Sequence, residues 1–124
     1  MRWEAELHDA VESRYLDLCV SDPETADLVE EAIDTLERLG PTLSRPLADR
    51  IKGSGIHNLK ELRPESTGRS EIGMLFVFDP RRSAIVLVAG DKAGQWQRWY
   101  EDAIPLAEQR YKEHLAALEV DNDG

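Results

Sequence analysis

Three consecutive segments decide the fold: Ile72-Gly-Met-Leu-Phe-Val-Phe78, Asp79-Pro-Arg-Arg82 and Ala84-Ile-Val-Leu-Val-Ala89. In the first segment, large apolar residues alternate with a second set that includes Gly73, and this period of two is typical of a strand with its aromatic face turned inward. The second segment has the composition of a turn. The third is short, apolar and β-branched, as in a central strand that is partly covered on both faces. Together they predict two neighbouring antiparallel strands.

Two helices are predicted before these strands. A short strand at Trp3–His8 alternates apolar and charged residues, and a helix follows from about Asp9 to Cys19. A second helix begins at Ser21-Asp-Pro-Glu24, where cap residues, a proline and a carboxylate favour a helix N-terminus. This helix ends at Gly40-Pro41, in the usual order of terminating residues.

One more strand and one more helix complete the predicted order. Asn58–Arg63 follows a glycine-containing loop and has the length of a strand, and a helical pattern returns at Trp96 and breaks or restarts at Pro105. Successive strands with short links form an antiparallel sheet, so we expect an α+β fold of two layers with the helices on one side. A chain of 124 residues can bury one modest core, and we expect a single domain over residues 1–120 with an acidic tail over residues 121–124.

Composition excludes several classes of protein. The sequence contains no apolar run long enough for a membrane span and no apolar stretch after Met1 that would resemble a signal peptide, so a cytoplasmic location is expected. Cys19 is the single cysteine, so an internal disulfide is impossible. Its apolar neighbours predict a buried structural thiol. Three histidines without matching spacing make a zinc site improbable.

Charge is distributed unevenly along the chain. The net charge is −10, which speaks against general affinity for nucleic acid, because Lys and Arg supply most of that affinity. Residues 50–98, however, contain nine basic and five acidic residues, a local charge of +4. A basic middle between acidic ends is compatible with a site for a polyanion. Solvated Lys and Arg on surface strands would give the same numbers, so both interpretations stay open.

The strand at Asn58–Arg63 carries the strongest candidates for chemistry. Its period of two places Glu61 and Arg63 on one face and Lys60 on the other. Cleavage of RNA without a metal needs a base for the 2′-hydroxyl proton and cations for the charge that builds on the phosphate. Glu61 is the candidate base, Lys60 a competing one, and Arg63 a candidate phosphate clamp. The alternative is an exposed ion pair of small energetic value.

Further residues are candidates for RNA contacts. His57 is either a proton donor or a loop histidine with local hydrogen bonds. The turn arginines are either phosphate contacts or an exposed hairpin tip. Trp96, Trp99 and Tyr100 either stack on bases or pack a helix against the sheet, and their spacing of three and four favours packing. The full set of candidate RNA-binding residues is Lys52, His57, Arg69, Arg81 and Arg82.

A series of motifs resembles the RelE/HigB toxin family, in its phage Gp49-like branch. The motifs are Asn58-Leu-Lys-Glu-Leu-Arg-Pro64, Gly68-Arg-Ser-Glu-Ile72, Leu75-Phe-Val-Phe-Asp-Pro-Arg-Arg82 and Gly90-Asp-Lys92, and the likeness runs from Trp3 to Leu118. The resemblance implies a small RelE-like fold and cleavage of messenger RNA on the translating ribosome, without a metal or other cofactor. It also implies an antitoxin encoded beside the toxin, often one with a helix-turn-helix domain.

Positions that match the family place its functional residues at Glu61, Arg63 and Lys92. The chain departs from the family at Gly73 and at Gly55, where similar members have arginines. A missing cation would lower the rate on the order of ten-fold to a thousand-fold. Arg69, on the adjoining loop, is a candidate substitute.

Three functions are therefore weighed. The first is a ribosome-dependent endoribonuclease toxin, and the second is a weakened relative that mainly binds its antitoxin and helps to repress their promoter. The third is an RNA-binding or structural domain unrelated to toxins. For the first two, the expected partners are an antitoxin and, for the active toxin, the ribosome and messenger RNA. A homodimer or a toxin–antitoxin hetero-oligomer is compatible with either.

Overall fold

The computed structural model describes residues 2–123, over which one sheet lies between helices. The elements in chain order are β1 (Ala5–Leu7), α1 (Asp9–Ser21), α2 (Pro23–Leu39), a 3₁₀ turn (Gly40–Thr42), β2 (Ala48–Arg50), β3 (Lys60–Leu62), β4 (Ile72–Phe78), β5 (Ala84–Asp91) and α3 (Trp96–Asp123).

The strands form one sheet in the order β1-β5-β4-β3-β2. The predicted pair β4–β5 is confirmed: it is antiparallel, with Gly73 opposite Gly90 at one end and Phe78 opposite Ala84 at the turn. The pairs β2–β3 and β3–β4 are antiparallel as well. β1 runs parallel to β5, because α1, α2 and three strands separate the two in sequence and bring the chain back in the same direction.

Helices cover both faces of the sheet. On one face Val11 of α1 and Leu36 of α2 pack with Phe76, and on the other Ala103 and Ala107 of α3 belong to a separate core cluster. The predicted α+β class, with two N-terminal helices and one C-terminal helix, is confirmed. The expectation that all helices lie on one side is corrected, because the apolar residues between those of the first core make a second apolar face that needs its own cover. These residues are Leu75, Val77, Ile85 and Leu87.

The ends of α2 are as predicted. Asp22 caps the helix by accepting a hydrogen bond from the Thr25 backbone N–H at 3.4 Å, and it also accepts one from the Thr25 hydroxyl at 2.6 Å. Pro23 occupies the first turn. Gly40 ends the helix with φ of +56°, where an added β-carbon would collide with the indole of Trp3. Glycine is therefore required there both for its backbone conformation and for its missing side chain.

α3 does not break at Pro105. The helix runs continuously from Trp96 to Asp123, which corrects the predicted interruption. Pro105 deprives the carbonyl of Glu101 of its helical partner, but both residues are exposed, so water can satisfy that carbonyl. The backbone of the predicted acidic tail continues the helix as far as Asp123, and Gly124 lies outside the described residues.

Two other predictions are wrong. β2 is absent from the predicted order because it has only three residues and no apolar alternation, and its pairing with β3 defines it. Cys19 is exposed instead of buried, since it lies on the outer side of α1 with Leu16 and Val20, while Val11 faces the core. In the described part of the chain, no helix is both long and apolar enough to span a membrane.

Candidate functional site

A buried carboxylate lies at the centre of the candidate site. β3 turns Glu61 toward α3, and the Glu61 side chain has no exposed surface. Its Oε1 accepts hydrogen bonds from Arg63 Nε at 2.8 Å and from the Tyr100 hydroxyl at 2.5 Å. Its Oε2 accepts one from Lys92 Nζ at 2.8 Å, and Lys92 also donates to the Tyr100 oxygen at 3.0 Å. Such a carboxylate has little freedom to move.

Three elements bring the donors to Glu61. Arg63 follows β3 directly, and its backbone N–H donates to Leu47 at 2.7 Å. Lys92 follows β5, and its backbone N–H donates to Glu71 at 2.8 Å, which extends the β4–β5 pairing by one step. Tyr100 lies in the second turn of α3.

The start of α3 is fixed by contact of an indole with a glycine. A β-carbon added at Gly90 would collide with the indole of Trp99, so the indole lies directly against the backbone of β5. Trp99 also packs with the core on that face, as the spacing of the three aromatic residues predicts, whereas the same prediction is wrong for Trp96, which is exposed. Tyr100, the next residue, is thereby held over Glu61.

Gly73 provides the room for the buried ion pair. A β-carbon at this position would collide with Glu61 Oε2 and would lie 3.0 Å from Lys92 Cδ. The place where a side chain of residue 73 would begin is thus already filled by the Glu61–Lys92 pair. A side chain at position 73 would therefore require Glu61 or Lys92 to move.

The protonation states of the cluster follow from its contacts. Burial lowers the pKa of Lys92, but hydrogen bonds with Glu61 and Tyr100 outweigh it, and the net pKa is raised. Burial and the hydrogen bond to Glu61 raise the pKa of Tyr100. The hydrogen bond to Glu61 raises the pKa of Arg63. At neutral pH the two basic groups are therefore cationic and the phenol carries its proton.

A cleft of 560 Å³ opens beside this cluster. Arg63 contacts both the buried Glu61 carboxylate and the solvent in the cleft, because 39% of its side chain is exposed. Only 5% of the Lys92 side chain is exposed. Four basic side chains and one acidic side chain line the cleft, which makes it suited to a phosphate or another anion. The lining residues are Arg50, Ile51, Lys52, Arg63, Glu71, Lys92, Trp96, Tyr100 and Ile104.

Two other candidates lie off the cleft. Lys60 is on the opposite face of β3, where its Nζ is 3.5 Å from the carbonyl of Pro41, so it does not contact Glu61. Arg69 pairs with Asp22 at 2.9 Å and Glu24 at 3.3 Å, at the start of α2.

The turn arginines are also distant from the cluster. Arg82 lies over the ring of Trp3 at 4.9 Å, and Arg81 is exposed beside it. Gly73 and Phe78 are five residues apart on β4, so the turn is roughly 17 Å from the cluster at the usual rise of a strand. Neither arginine lines the cleft.

The loop before β3 forms one wall of the cleft. Lys52 lines it, whereas His57 is exposed and its carbonyl accepts a hydrogen bond from Arg50 at 3.1 Å.

Sequence reasoning missed Arg50 and Tyr100 as site residues. Arg50 contributes to the basic charge of the middle segment but belongs to no motif, and the sequence alone does not distinguish the surroundings of Tyr100 from those of Trp99.

The described residues contain no group of three or more His, Cys, Asp or Glu side chains placed to hold a metal ion. The polar groups that line the cleft include its four basic side chains, the Glu71 carboxylate and Tyr100.

Comparisons with known proteins agree on a family. Residues 17–112 match the family model described as "Phage derived protein Gp49-like". The chain is 53% identical over 98 residues to "Putative toxin HigB2" of Mycobacterium tuberculosis, covering 79% of this chain and 49% of that protein. It is 54% identical over 89 residues to "Putative toxin HigB3" of the same organism, covering 72% of this chain and 75% of that protein. The chain thus spans about half the length of the first relative. No solved structure matches it significantly.

Proposed function

Since the chain belongs to the Gp49-like family of HigB-type toxins, we propose that it is the toxin of a toxin–antitoxin pair and that it cleaves messenger RNA on the ribosome without a metal. The proposal implies a cognate antitoxin as partner and the cytoplasm, where translation takes place, as location. A helix-turn-helix protein remains the expectation for that antitoxin.

The observation that carries the proposal is the convergence of four basic side chains on one cleft, around a fully buried Glu61. In metal-independent RNA cleavage, the 2′-hydroxyl loses its proton to water, the 2′-oxygen attacks the adjacent phosphorus, and the bond to the 5′-oxygen breaks as that oxygen gains a proton. The phosphate gains negative charge as this happens, and preorganised cations stabilise it. Arg63 and Lys92 are held in place for that role by the carboxylate that both of them contact.

Glu61 is better suited to positioning than to proton abstraction. A side chain with no exposed surface cannot contact a 2′-hydroxyl while it accepts three hydrogen bonds. We assign Glu61 the orientation of Arg63, Lys92 and Tyr100. Tyr100 lines the cleft, and its hydroxyl, whose proton Glu61 accepts in this structure, is the candidate donor to the leaving 5′-oxygen. Lys92, which donates to the phenol oxygen, would supply a proton as Tyr100 gives up its own.

The test compares two basic residues that lie three positions apart, one at the start of β3 and one directly after it. Arg63→Ala removes the exposed phosphate contact, and Lys60→Ala removes a cation from the opposite face of β3. In a translation extract, the wild type should cut messenger RNA within the codon in the ribosomal A site. Arg63→Ala should lower the cleavage rate about 100-fold or more, and Lys60→Ala should leave it unchanged.

Two results would overturn the proposal. One is a wild-type protein that leaves messenger RNA intact on translating ribosomes. The other is an Arg63→Ala variant that cleaves as fast as the wild type while it retains the wild-type fold.

The alternative of a weakened toxin that mainly binds an antitoxin depends on the glycine at position 73. The packing of Glu61 and Lys92 against Gly73 gives this position a structural role as well. A wild-type protein that binds the antitoxin and represses the shared promoter, but does not cleave RNA, would favour it.

A further inference from the structure

Trp96 is exposed at the edge of the basic cleft. It is the first residue of α3, and 59% of its surface is accessible, whereas Trp99 on the next turn is packed against Gly90. Its ring meets the Tyr100 ring edge to face, with centroids 6.4 Å apart. Of the aromatic residues at the start of α3, Trp99 packs against the sheet and Tyr100 binds Glu61, so Trp96 is the one exposed to a ligand.

A second hollow of 390 Å³ adjoins the cleft through Trp96. The two share Trp96, Tyr100 and Ile104 as lining residues. Gly53 and Pro105 complete the apolar part of the second hollow. None of its lining residues is basic, in contrast to the four that line the cleft.

The loop wall of this hollow is fixed to α3. Glu108 Oε2 accepts hydrogen bonds from the Ser54 hydroxyl at 2.9 Å and from the Gly55 backbone N–H at 2.5 Å. Gly53, which precedes Ser54, lines the hollow together with Ile104 and Pro105. These hydrogen bonds join the loop to α3 beside the hollow.

The pairing of an anionic site with an aromatic site fits a nucleotide. A phosphate and its base are linked through one ribose, so a nucleotide whose phosphate lies in the cleft places its base within reach of an adjoining hollow. Base stacking on an aromatic side chain is favourable for every base, because each has a π-face. An exposed tryptophan beside basic side chains has the two properties that single-stranded RNA requires.

We propose that Trp96 is a stacking platform for one base of the RNA whose phosphate occupies the cleft, and that the hollow of Gly53, Ile104 and Pro105 receives that base. This inference rests on the proposed function, because it takes the cleft to bind RNA. Stacking selects for the presence of a base and not for its identity.

Binding of two short RNAs to the purified protein tests the inference. One is a 2′-O-methylated uridine hexanucleotide, which resists cleavage, and the other has the same backbone with every base removed. The wild type should bind the intact RNA roughly 5- to 150-fold more tightly than the abasic one, the range expected for stacking of one base. Trp96→Ala should abolish most of this difference, and Trp96→Phe should retain a large part of it.

Leu106→Ala provides the matched control. Leu106 is an exposed apolar residue of the same helix, with 40% of its surface accessible, and it lines neither the cleft nor the hollow. Its replacement should leave binding of both RNAs unchanged. Arg63→Ala should weaken both RNAs alike, because it removes a phosphate contact and no base contact.

The outcomes separate this inference from the proposed function. Equal binding of intact and abasic RNA by the wild type, or unchanged preference in Trp96→Ala, would overturn the role of Trp96 and leave the cleft and its cleavage assay unaffected. Absence of binding by either RNA would overturn the inference too, while cleavage in the translation extract would still report on the proposed function. Loss of antitoxin binding in Trp96→Ala, with RNA preference intact, would assign this surface to the antitoxin instead.

Discussion

Replacement of Gly73 by alanine should destabilise the protein, although alanine is normally the better residue in a strand. The added methyl group collides with Glu61 Oε2 and approaches Lys92 Cδ to 3.0 Å. A carboxylate at the end of a free side chain would simply rotate away. Glu61 cannot, because it is fully buried and three donors hold it.

The size of the effect follows from two opposing contributions. Overpacking of a filled site costs about 1–3 kcal/mol. The lower entropy of the unfolded chain with alanine offsets about 0.4–1 kcal/mol of this. The centres of these two ranges, about 2 and about 0.7 kcal/mol, leave a net loss of about 1.3 kcal/mol in the free energy of unfolding. With a urea m-value of about 2 kcal/mol/M, the unfolding midpoint should fall by roughly 0.5–1 M.

Urea unfolding followed by circular dichroism measures this shift. Gly55→Ala is the control, because its β-carbon would meet only the half-buried Glu108 at 3.2 Å, and its midpoint should hardly change. In a Glu61→Asp background, whose shorter side chain leaves more room, Gly73→Ala should cost less than it does in the wild type. A Gly73→Ala midpoint equal to or above that of the wild type would refute the argument.

The same contact predicts the result of introducing arginine at this position. Gly73→Arg should displace Glu61 or Lys92 and should give no gain in cleavage or toxicity. A gain would support the hypothesis that the wild type is an attenuated toxin.

Two further predictions concern pH and the β4–β5 turn. Because the pKa values of Lys92 and Tyr100 are both raised in the folded protein, their contribution to stability is fully present below about pH 10 and is lost as the pH rises through the folded-state values. Urea unfolding between about pH 8 and 11 should show the free energy of unfolding decrease as the pH rises. In Tyr100→Phe this decrease should be smaller. An equally steep decrease in that variant would contradict the role given to Tyr100. Asp79→Ala should cost about 2–4 kcal/mol, because the buried Asp79 carboxylate accepts hydrogen bonds from the backbone N–H groups of Arg81 and Ser83 at 2.9 Å and contacts His114 Nε2 at 2.9 Å. Thermal unfolding measures this loss of stability. His114→Ala removes only one of the three contacts and should therefore cost less than Asp79→Ala. Equal losses of stability in the two variants would show that the hydrogen bonds within the turn contribute little.

Local patterns are sufficient for much of the fold. The cap at Asp22, the stop at Gly40 and the alternation in β4 each depend on neighbouring residues, and the structure has all three where the sequence predicts them. The placement of Glu61 and Arg63 on one face of β3 also follows from the period of a strand, and their 2.8 Å contact agrees with it.

Features that depend on distant contacts are not predictable in this way. Tyr100 contacts Glu61 across 39 positions of sequence, and nothing in the order of Trp99 and Tyr100 says which of them faces the carboxylate. The role of Gly73 cannot be predicted from the sequence either, because it depends on contacts with Glu61 and Lys92, which are distant in sequence. Its missing side chain suggests a lost cation, whereas the space beside it is taken by Glu61 and by Lys92, which is 19 residues further along the chain.

The arrangement of charge explains how an acidic chain can present a site for a polyanion. Residues 2–42, which form β1, α1 and α2, contain twelve acidic and three basic residues. The core that α1 and α2 share with the sheet lies on one face, and Glu61 and α3 lie on the other. The sheet therefore separates an acidic surface from the basic cleft, so a phosphate backbone is repelled by the first and attracted by the second. The uneven distribution of charge then favours approach from the side of the cleft, where the basic side chains would bind the phosphate.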